Sequence, residues 1–322
     1  MPKSPSTEDQ LAELATLAES LESPDTRKRL RKHLGSKSSP IVARAAQIIA
    51  RIEDHDFGPE LVQAFHRFLI DPAKTDKGCV AKCAIVKALL AADCDDEELF
   101  RKGVRHIQLE PTWGGRADTA AQLRALCGLG LVQVGSRDAM DELATLLADK
   151  ESDARIGAAA ALGHCGQTAT PLLRFKLLSG DNEAAVLAEC LTSLMKVAPS
   201  DSFQFVSKFV DPEYPALYEH AALTLAESRL PGMFELLESK FTATFDREFK
   251  KSLLLPMAIT RSEEAREFLI SVIESGELGM ATGAIAALRI FAADESLRSR
   301  LERAIEGPNK KELSAVVRRE FS

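Results

Sequence analysis

Asp153–Gly166 reads DARIGAAAALGHCG, and the order of its residues decides the fold. Its skeleton is apolar, Arg, two variable, small, two variable, small, Leu: Ala154, Arg155, Ala158, Ala161 and Leu162. Such spacing places the small and apolar residues on one stripe of a helix, and Ala ranks at the top of helix propensity. The skeleton recurs. Leu123, Arg124, Cys127, Gly130 and Leu131 stand 31 residues upstream. Downstream come Val186, Leu187, Cys190, Ser193 and Leu194 after 32, and Leu217, Tyr218, Ala221, Thr224 and Leu225 after 31. Phe249, Lys250, Leu253, Pro256 and Met257 follow after 32, then Met280, Ala281, Ala284, Ala287 and Leu288 after 31. Six units thus hold their spacing to within one residue. Ala81, Lys82, Ile85, Ala88 and Leu89 repeat it 42 residues before Leu123, and Ile41–Ile52 does so in a looser register.

Between these units lie further segments with apolar residues at helical spacing: 139–149, 171–180, 203–210, 233–241 and 266–275. Gly135-Ser136, Gly180-Asp181-Asn182, Ala198-Pro199-Ser200, Asp211-Pro212 and Gly307-Pro308 punctuate the joins, and Ser136, Asp153, Asp201 and Ser262 stand where helix N-caps belong. The repeating unit is therefore helix, turn, helix, and neither helix buries its apolar stripe until neighbours stack. About eight or nine such pairs are expected over residues 25–322, with residues 1–24 as an N-terminal segment whose capping helix runs near Glu8 to Leu21. The polar runs TRKRLRKHL and NKKELSAVVRREF suit end repeats.

Composition agrees. Hydrophobic residues make up 45% of the 322, charged residues 28% and aromatics only 6%, which excludes a disordered or membrane class and favours an all-α fold without strands. A net charge of −7 argues against a protein whose whole surface engages nucleic acid. No apolar run reaches the roughly 20 residues of a spanning helix, so no membrane partner is expected. MPKSPSTEDQ has no apolar signal region, and the six cysteines (79, 83, 94, 127, 165, 190) form no C-x-x-C. Both point to a cytoplasmic protein whose cysteines are small buried hydrophobes, with disulfides and a metal site as the alternatives.

The skeleton at Ala154–Gly163, preceded by LLADKESD, resembles the HEAT repeat, in particular the short HEAT-like repeat of phycobilisome bilin lyases. The likeness runs from roughly Ser38 to the C-terminus. It implies a right-handed α–α superhelix, a solenoid whose second helices line the concave face. It also implies that cations at the Arg155-like positions pair with carboxylates such as Asp149 or Asp153. The later units depart from this, with Leu187, Tyr218 and Ala281 at that position. A repeat used for many tasks specifies function poorly.

Three enzyme types share this repeat. Deoxyhypusine hydroxylase resembles it and uses His-Glu steps for iron; no His-Glu dipeptide occurs here, and the six histidines (33, 55, 66, 106, 164, 220) are scattered as surface or capping residues. Bilin lyases share it, but no chromophore signature accompanies it. Alkylpurine DNA glycosylases of HEAT-like fold use Trp, Asp and Arg on a cationic face. Trp113, Arg116 and Asp118 are those residue types within one loop, EPTWGGRAD. The competing reading is structural: Asp118 or Thr119 caps the next helix, Gly114-Gly115 turn the chain, and Trp113 packs on a neighbouring repeat. No P-loop or G-x-S-x-G occurs.

Three features suit binding. The loop Glu110–Asp118 is an insertion, where Trp113 and Arg116 would form a hot spot. The positions two and six after each first anchor point outward: Ala125, Leu129, Ile156, Ala160, Ala188, Thr192, Glu219, Leu223, Lys251, Leu255, Thr282 and Ala286. They form either tight packing or an apolar docking face. The third is the segment 25–51, with eight cations (among them Arg27, Arg29, Arg31 and Lys32) against Asp25 alone, a solvated cap or a patch for an acidic partner or nucleic acid. Asp93–Glu98 reads as the first turn of a helix. The sequence thus points to a cofactor-free scaffold or adaptor that holds a protein partner of unknown identity. A glycosylase-type enzyme or nucleic-acid-binding protein is the alternative.

Overall fold

The computed structural model describes residues 6–18, 23–275, 277–305 and 310–321; Leu21 of the expected capping helix, the Gly307-Pro308 breaker and Asn309 lie outside them. The chain divides into two compact units, residues 1–172 and 173–322. The first unit holds α1 (Thr7–Leu17), α2 (Pro24–Leu34), α3 (Ser39–Ala50), α4 (Gly58–Phe68), the single turn α5 (Pro72–Thr75), α6 (Val80–Ala91), α7 (Glu97–Val104), β1 (Leu109–Thr112), β2 (Gly115–Asp118), α8 (Ala121–Gln133), α9 (Ala139–Leu146) and α10 (Ser152–Leu162). The division falls within α11 (Thr170–Ser179). The second unit continues with α12 (Ala184–Val197), α13 (Pro199–Val206), α14 (Tyr218–Ser228), α15 (Met233–Ala243), α16 (Arg247–Ile259), α17 (Glu263–Ser275), α18 (Leu278–Leu288), α19 (Glu295–Ala304) and α20 (Lys310–Glu320). With α1 and α5 set aside, the described helices follow one another in nine successive pairs.

Each repeated skeleton lies on the second helix of a pair. In the six regular units its first, third, fourth and fifth residues are all buried, apart from the half-buried Met280. None of the twelve outward positions is buried. This separation is what a helix packed on its neighbours through one stripe produces.

Small residues set the spacing of the first unit. A Cβ added to Gly157 of α10 would fall 2.1 Å from the Cβ of Ala125 on α8. On the other flank, a Cβ at Gly103 of α7 would meet the Cys127 sulfur at 2.2 Å, and one at Gly130 of α8 would meet the Phe100 ring at 2.4 Å. Helix α8 is therefore gripped on both sides at distances that a single methyl group would violate. The second unit packs Leu269 and Ile273 of α17, Ile285 and Leu288 of α18, Leu301 of α19 and Leu313 and Val317 of α20 into one apolar cluster. Phe268 meets Phe234 and Phe241 edge-on beside it, with ring centroids 5.8 and 5.2 Å apart.

Three details differ from the sequence reading, and one agrees with it. The 109–118 segment is a two-stranded antiparallel hairpin, although its strands LEPT and GRAD lack alternation and are mostly exposed. Of the expected caps, Ser262 accepts from the Ala265 amide at 3.1 Å, but Asp153 and Asp201 lie inside first turns, and Asp138 replaces Ser136. His33 is buried rather than a surface or capping residue, with its Nε2 3.5 Å from a Glu13 carboxylate oxygen. The acidic run does open a helix: the Asp96 carboxylate accepts from the Leu99 amide at 2.9 Å.

The Gly157–Ala125 contact makes a test. Gly157→Ala gains helix propensity yet should lower unfolding free energy by about 1–3 kcal/mol, because the added methyl forces α8 and α10 apart. Gly279→Ala, whose Cβ would meet only Lys251 Cε at 3.6 Å, should leave stability unchanged or slightly raised. Urea unfolding of both variants decides it; equal midpoints would refute the close-approach argument.

Candidate functional site

Helices α3, α6, α8 and α10 lie side by side within the first unit, and their unburied positions enclose two adjoining cavities. The first, of about 410 Å³, lies between α8 and α10 and is lined by Ala125, Leu126, Leu129, Ile156, Gly157 and Ala160, with Gln122, Asp153 and His164 at its margin. The second, of about 300 Å³, runs across α3 and α6, where Gln47, Ala50, Val80, Cys83, Ala84 and Lys87 line it. Gln122 borders both, so the two adjoin along one face, called the groove below. Ile156 and Ala160, expected to face outward, sit in its wall. Gln122, Leu126 and His164 were not among the expected site residues; they lie one helical turn or less from the outward stripe, and widening that stripe would have found them.

The groove also holds a thiol. The neighbouring Cys79 thiol holds Cys83 below the ordinary thiol range against its own burial. The same coupling, together with burial, pushes Cys79 well up. All six cysteines carry free thiols, four of them buried.

The hairpin is fixed to one edge of this groove. Its Glu110 carboxylate accepts from the Gly78 amide at 2.7 Å and from the Thr119 hydroxyl at 2.8 Å, and Gln108 donates to the Asp76 carbonyl at 2.8 Å. Gly78 lines the second cavity, so the hairpin base and that cavity share a wall. Asp76 and Lys82 form a fully buried ion pair at 2.9 Å beneath this joint. The Asp76 carboxylate also accepts the Ala81 and Lys82 amides, and Lys82 also donates to the Phe68 carbonyl.

The hairpin separates Trp113, Arg116 and Asp118. In its register Thr112 faces Gly115 and Leu109 faces Asp118, so Trp113 is at the tip and Asp118 at the base. A strand rises about 3.4 Å per residue, which puts roughly 10 Å or more of ladder between them. Trp113 does not pack on a neighbouring repeat; its relative exposure is 106%. Gly114 takes φ +98° beside it, a conformation that favours glycine. Arg116 is exposed on β2. Asp118 accepts the Gln108 and Ala120 amides at 3.0 Å each and the Arg124 guanidinium at 2.7 Å. Burial raises its carboxyl, but those two amides and Arg124 together outweigh burial and leave it below the usual carboxylate range. Asp118 thus joins the hairpin base to the start of α8 and to Arg124, away from Trp113.

Arg124 binds the Asp149 carboxylate as well, through Nε at 2.8 Å and Nη2 at 2.9 Å, and donates to the His106 carbonyl at 2.9 Å. Its counterpart Arg155 donates to the Asp149 and Lys150 carbonyls. The cation expected at this place in the repeat therefore does meet Asp149, from the preceding unit.

Three of the eight cations of the basic run are paired within the fold. Arg27 pairs with Asp54 and Asp56, Arg29 with Glu13 and Asp25, and Arg31 with Glu60. Lys32 is exposed. In the second unit, Thr192 is exposed on α12 with its hydroxyl 2.9 Å from His220 Nε2, Glu219 is exposed on α14, and Lys251 on α16 pairs with Glu248. Among the described residues no group of three or more His, Cys, Asp or Glu could hold a metal ion, and no helix is long and apolar enough to cross a membrane.

The role of Asp118 has a pH signature. A carboxyl depressed by folding stabilises the native state above its unfolded value, near 3.9, and loses that contribution as pH falls through the folded value. Asp118→Asn should therefore cost about 1–3 kcal/mol at neutral pH, a penalty that shrinks below about pH 4. Trp113→Ala should leave stability unchanged. A constant Asp118→Asn penalty from pH 7 to pH 3 in denaturant titrations would overturn this account.

No protein-family model matches the chain, and no curated protein matches it. Among solved structures it is similar to an engineered protein, with 18% identity over 99% of this chain and 97% of that one and a TM-score of 0.35. It is also similar to the complex of CpcE and CpcF of phycocyanin lyase from Nostoc sp. PCC7120, with 17% identity over 91% of this chain and 94% of that one and a TM-score of 0.33.

Proposed function

We propose that this chain is a HEAT-like repeat protein acting as a scaffold or adaptor, and that the face formed by α3, α6, α8 and α10 holds a segment of a partner protein. The observation that carries the reading is the pair of adjoining cavities that share Gln122, aliphatic at one end and spread over four neighbouring helices. Docking surfaces of this kind combine a desolvated aliphatic centre with an exposed polar margin. Here Leu126, Leu129, Ile156 and Ala160 supply the centre, and Gln122, Gln47 and Lys87 the margin. The hairpin beside it carries an exposed Trp113 and Arg116, residue types that anchor interfaces. Asp118 is held in an internal ion pair away from Trp113, so the residues suggestive of base excision do not converge.

Ala160→Arg places a long cation in the aliphatic end of the groove without touching the buried anchors. It should reduce the partners captured from cell extract by about 10-fold or more, the loss typical of blocking an interface centre. Asp141→Arg, on the exposed side of α9, should leave the captured set unchanged. Quantitative affinity capture with matched melting curves makes the comparison; an identical set from both variants would remove the groove from consideration.

A further inference from the structure

The four helices that border the groove are nearly free of carboxylates. Together they span 12, 12, 13 and 11 residues, or 48, and contain one acid, Asp153. The whole chain has 48 acids in 322 residues, so 48 average residues would hold about seven (48 × 48/322). The same helices carry five cations. Lys82, Arg124 and Arg155 are buried at the helix starts. Arg44 and Lys87 remain unburied, and Arg51 is exposed at the C-cap of α3. Arg44 lies one turn before Gln47 of the groove wall and reaches its side chain at 3.5 Å, Arg51 one turn after it, and Lys87 is itself in the wall. None of these three has an ion pair among the described residues. Within the basic run itself the contrast is direct: Arg27, Arg29 and Arg31 on α2 have carboxylate partners, whereas Arg44 and Arg51, on α3 and at its C-cap, have none.

We propose that the segment held by this groove is an acidic peptide with aliphatic residues, its Asp and Glu side chains over Arg44, Arg51 and Lys87 on α3 and α6 and its apolar side chains over Leu126, Leu129 and Ile156 on α8 and α10. The proposal rests on the docking reading above and adds the partner's chemistry. Charge of one sign at one end of an aliphatic groove fixes the direction in which a peptide lies and excludes basic competitors. Nucleic acid fits less well. Its phosphates would reach three cations, while the aliphatic half of the groove offers no aromatic face for a base.

A displayed library of short random peptides, panned on the full chain at low and moderate salt, tests it. The expected result is enrichment of Asp and Glu together with Leu, Ile or Val. Affinity of the selected peptides should fall about 10-fold or more in the triple variant Arg44→Glu, Arg51→Glu, Lys87→Glu, and Lys-for-Glu exchange in the peptide should restore it. Peptides without acidic bias that are still displaced by Ala160→Arg would overturn the acidic assignment and leave the docking face standing. No enrichment, or peptides indifferent to both variants, would overturn both. Displacement of the selected peptides by a single-stranded oligonucleotide at lower concentration than by free peptide would also overturn the assignment, in favour of nucleic acid.

Discussion

The first unit depends on burying a cation near the start of successive helices. Lys82, Arg124 and Arg155 occupy equivalent places, and each is buried. A charge in that position is tolerable only if its donors are matched. Lys82 meets Asp76 and the Phe68 carbonyl. Arg124 meets Asp118, Asp149 and the His106 carbonyl. Arg155 meets the carbonyls of Asp149 and Lys150. Most of these partners sit in or at the ends of the connections between helices, so each cation locks the connection before its own helix, and Arg124 also reaches Asp149 in the connection before α10. Backbone carbonyls that a turn would otherwise leave unsatisfied gain donors in the same arrangement.

The groove follows from this arrangement. With the turns held by buried charge at one end, the helix bodies are free to approach through glycine and alanine, as Gly157 does against Ala125. Close approach sets Ala125, Gly157 and Ala160 along the shared face, with the aliphatic Leu126, Leu129 and Ile156 beside them. The same geometry explains why the insertion between α7 and α8 is ordered. Glu110, Gln108 and Asp118 tie the hairpin base to residues 76–78 and to Arg124, so the tip projects from a rigid foundation.

Most of the helical framework was legible because the signal was periodic: the buried stripe of every regular unit, Leu123 to Leu131 or Val186 to Leu194, coincides with the repeated skeleton. The outward positions were legible for the same reason. What was not legible depends on contacts remote in sequence. Arg27, Arg29 and Arg31 look like a free basic run until Glu13, Asp54 and Glu60 fold against them from 16 to 29 residues away. The hairpin was missed because four-residue strands containing proline and glycine carry no β pattern; the register is held instead by side-chain bonds at its base. Three of the helix starts were misplaced by two or three residues because polar residues beside or inside the first turns, such as Asp153 and Asp201, have the sequence of caps without their position. Of the groove, Ile156 and Ala160 were foreseen, whereas its extension across Val80, Cys83 and Lys87 required knowing which helices are neighbours.

The placement of the one tryptophan has an optical consequence. Trp113 stands wholly in solvent in the native state, as an indole does in an unfolded chain. Its emission should already be red-shifted in the native protein and change little on denaturation, so fluorescence is a poor reporter of unfolding for this molecule. Any blue shift observed under native conditions would instead register something coming to rest against the hairpin tip.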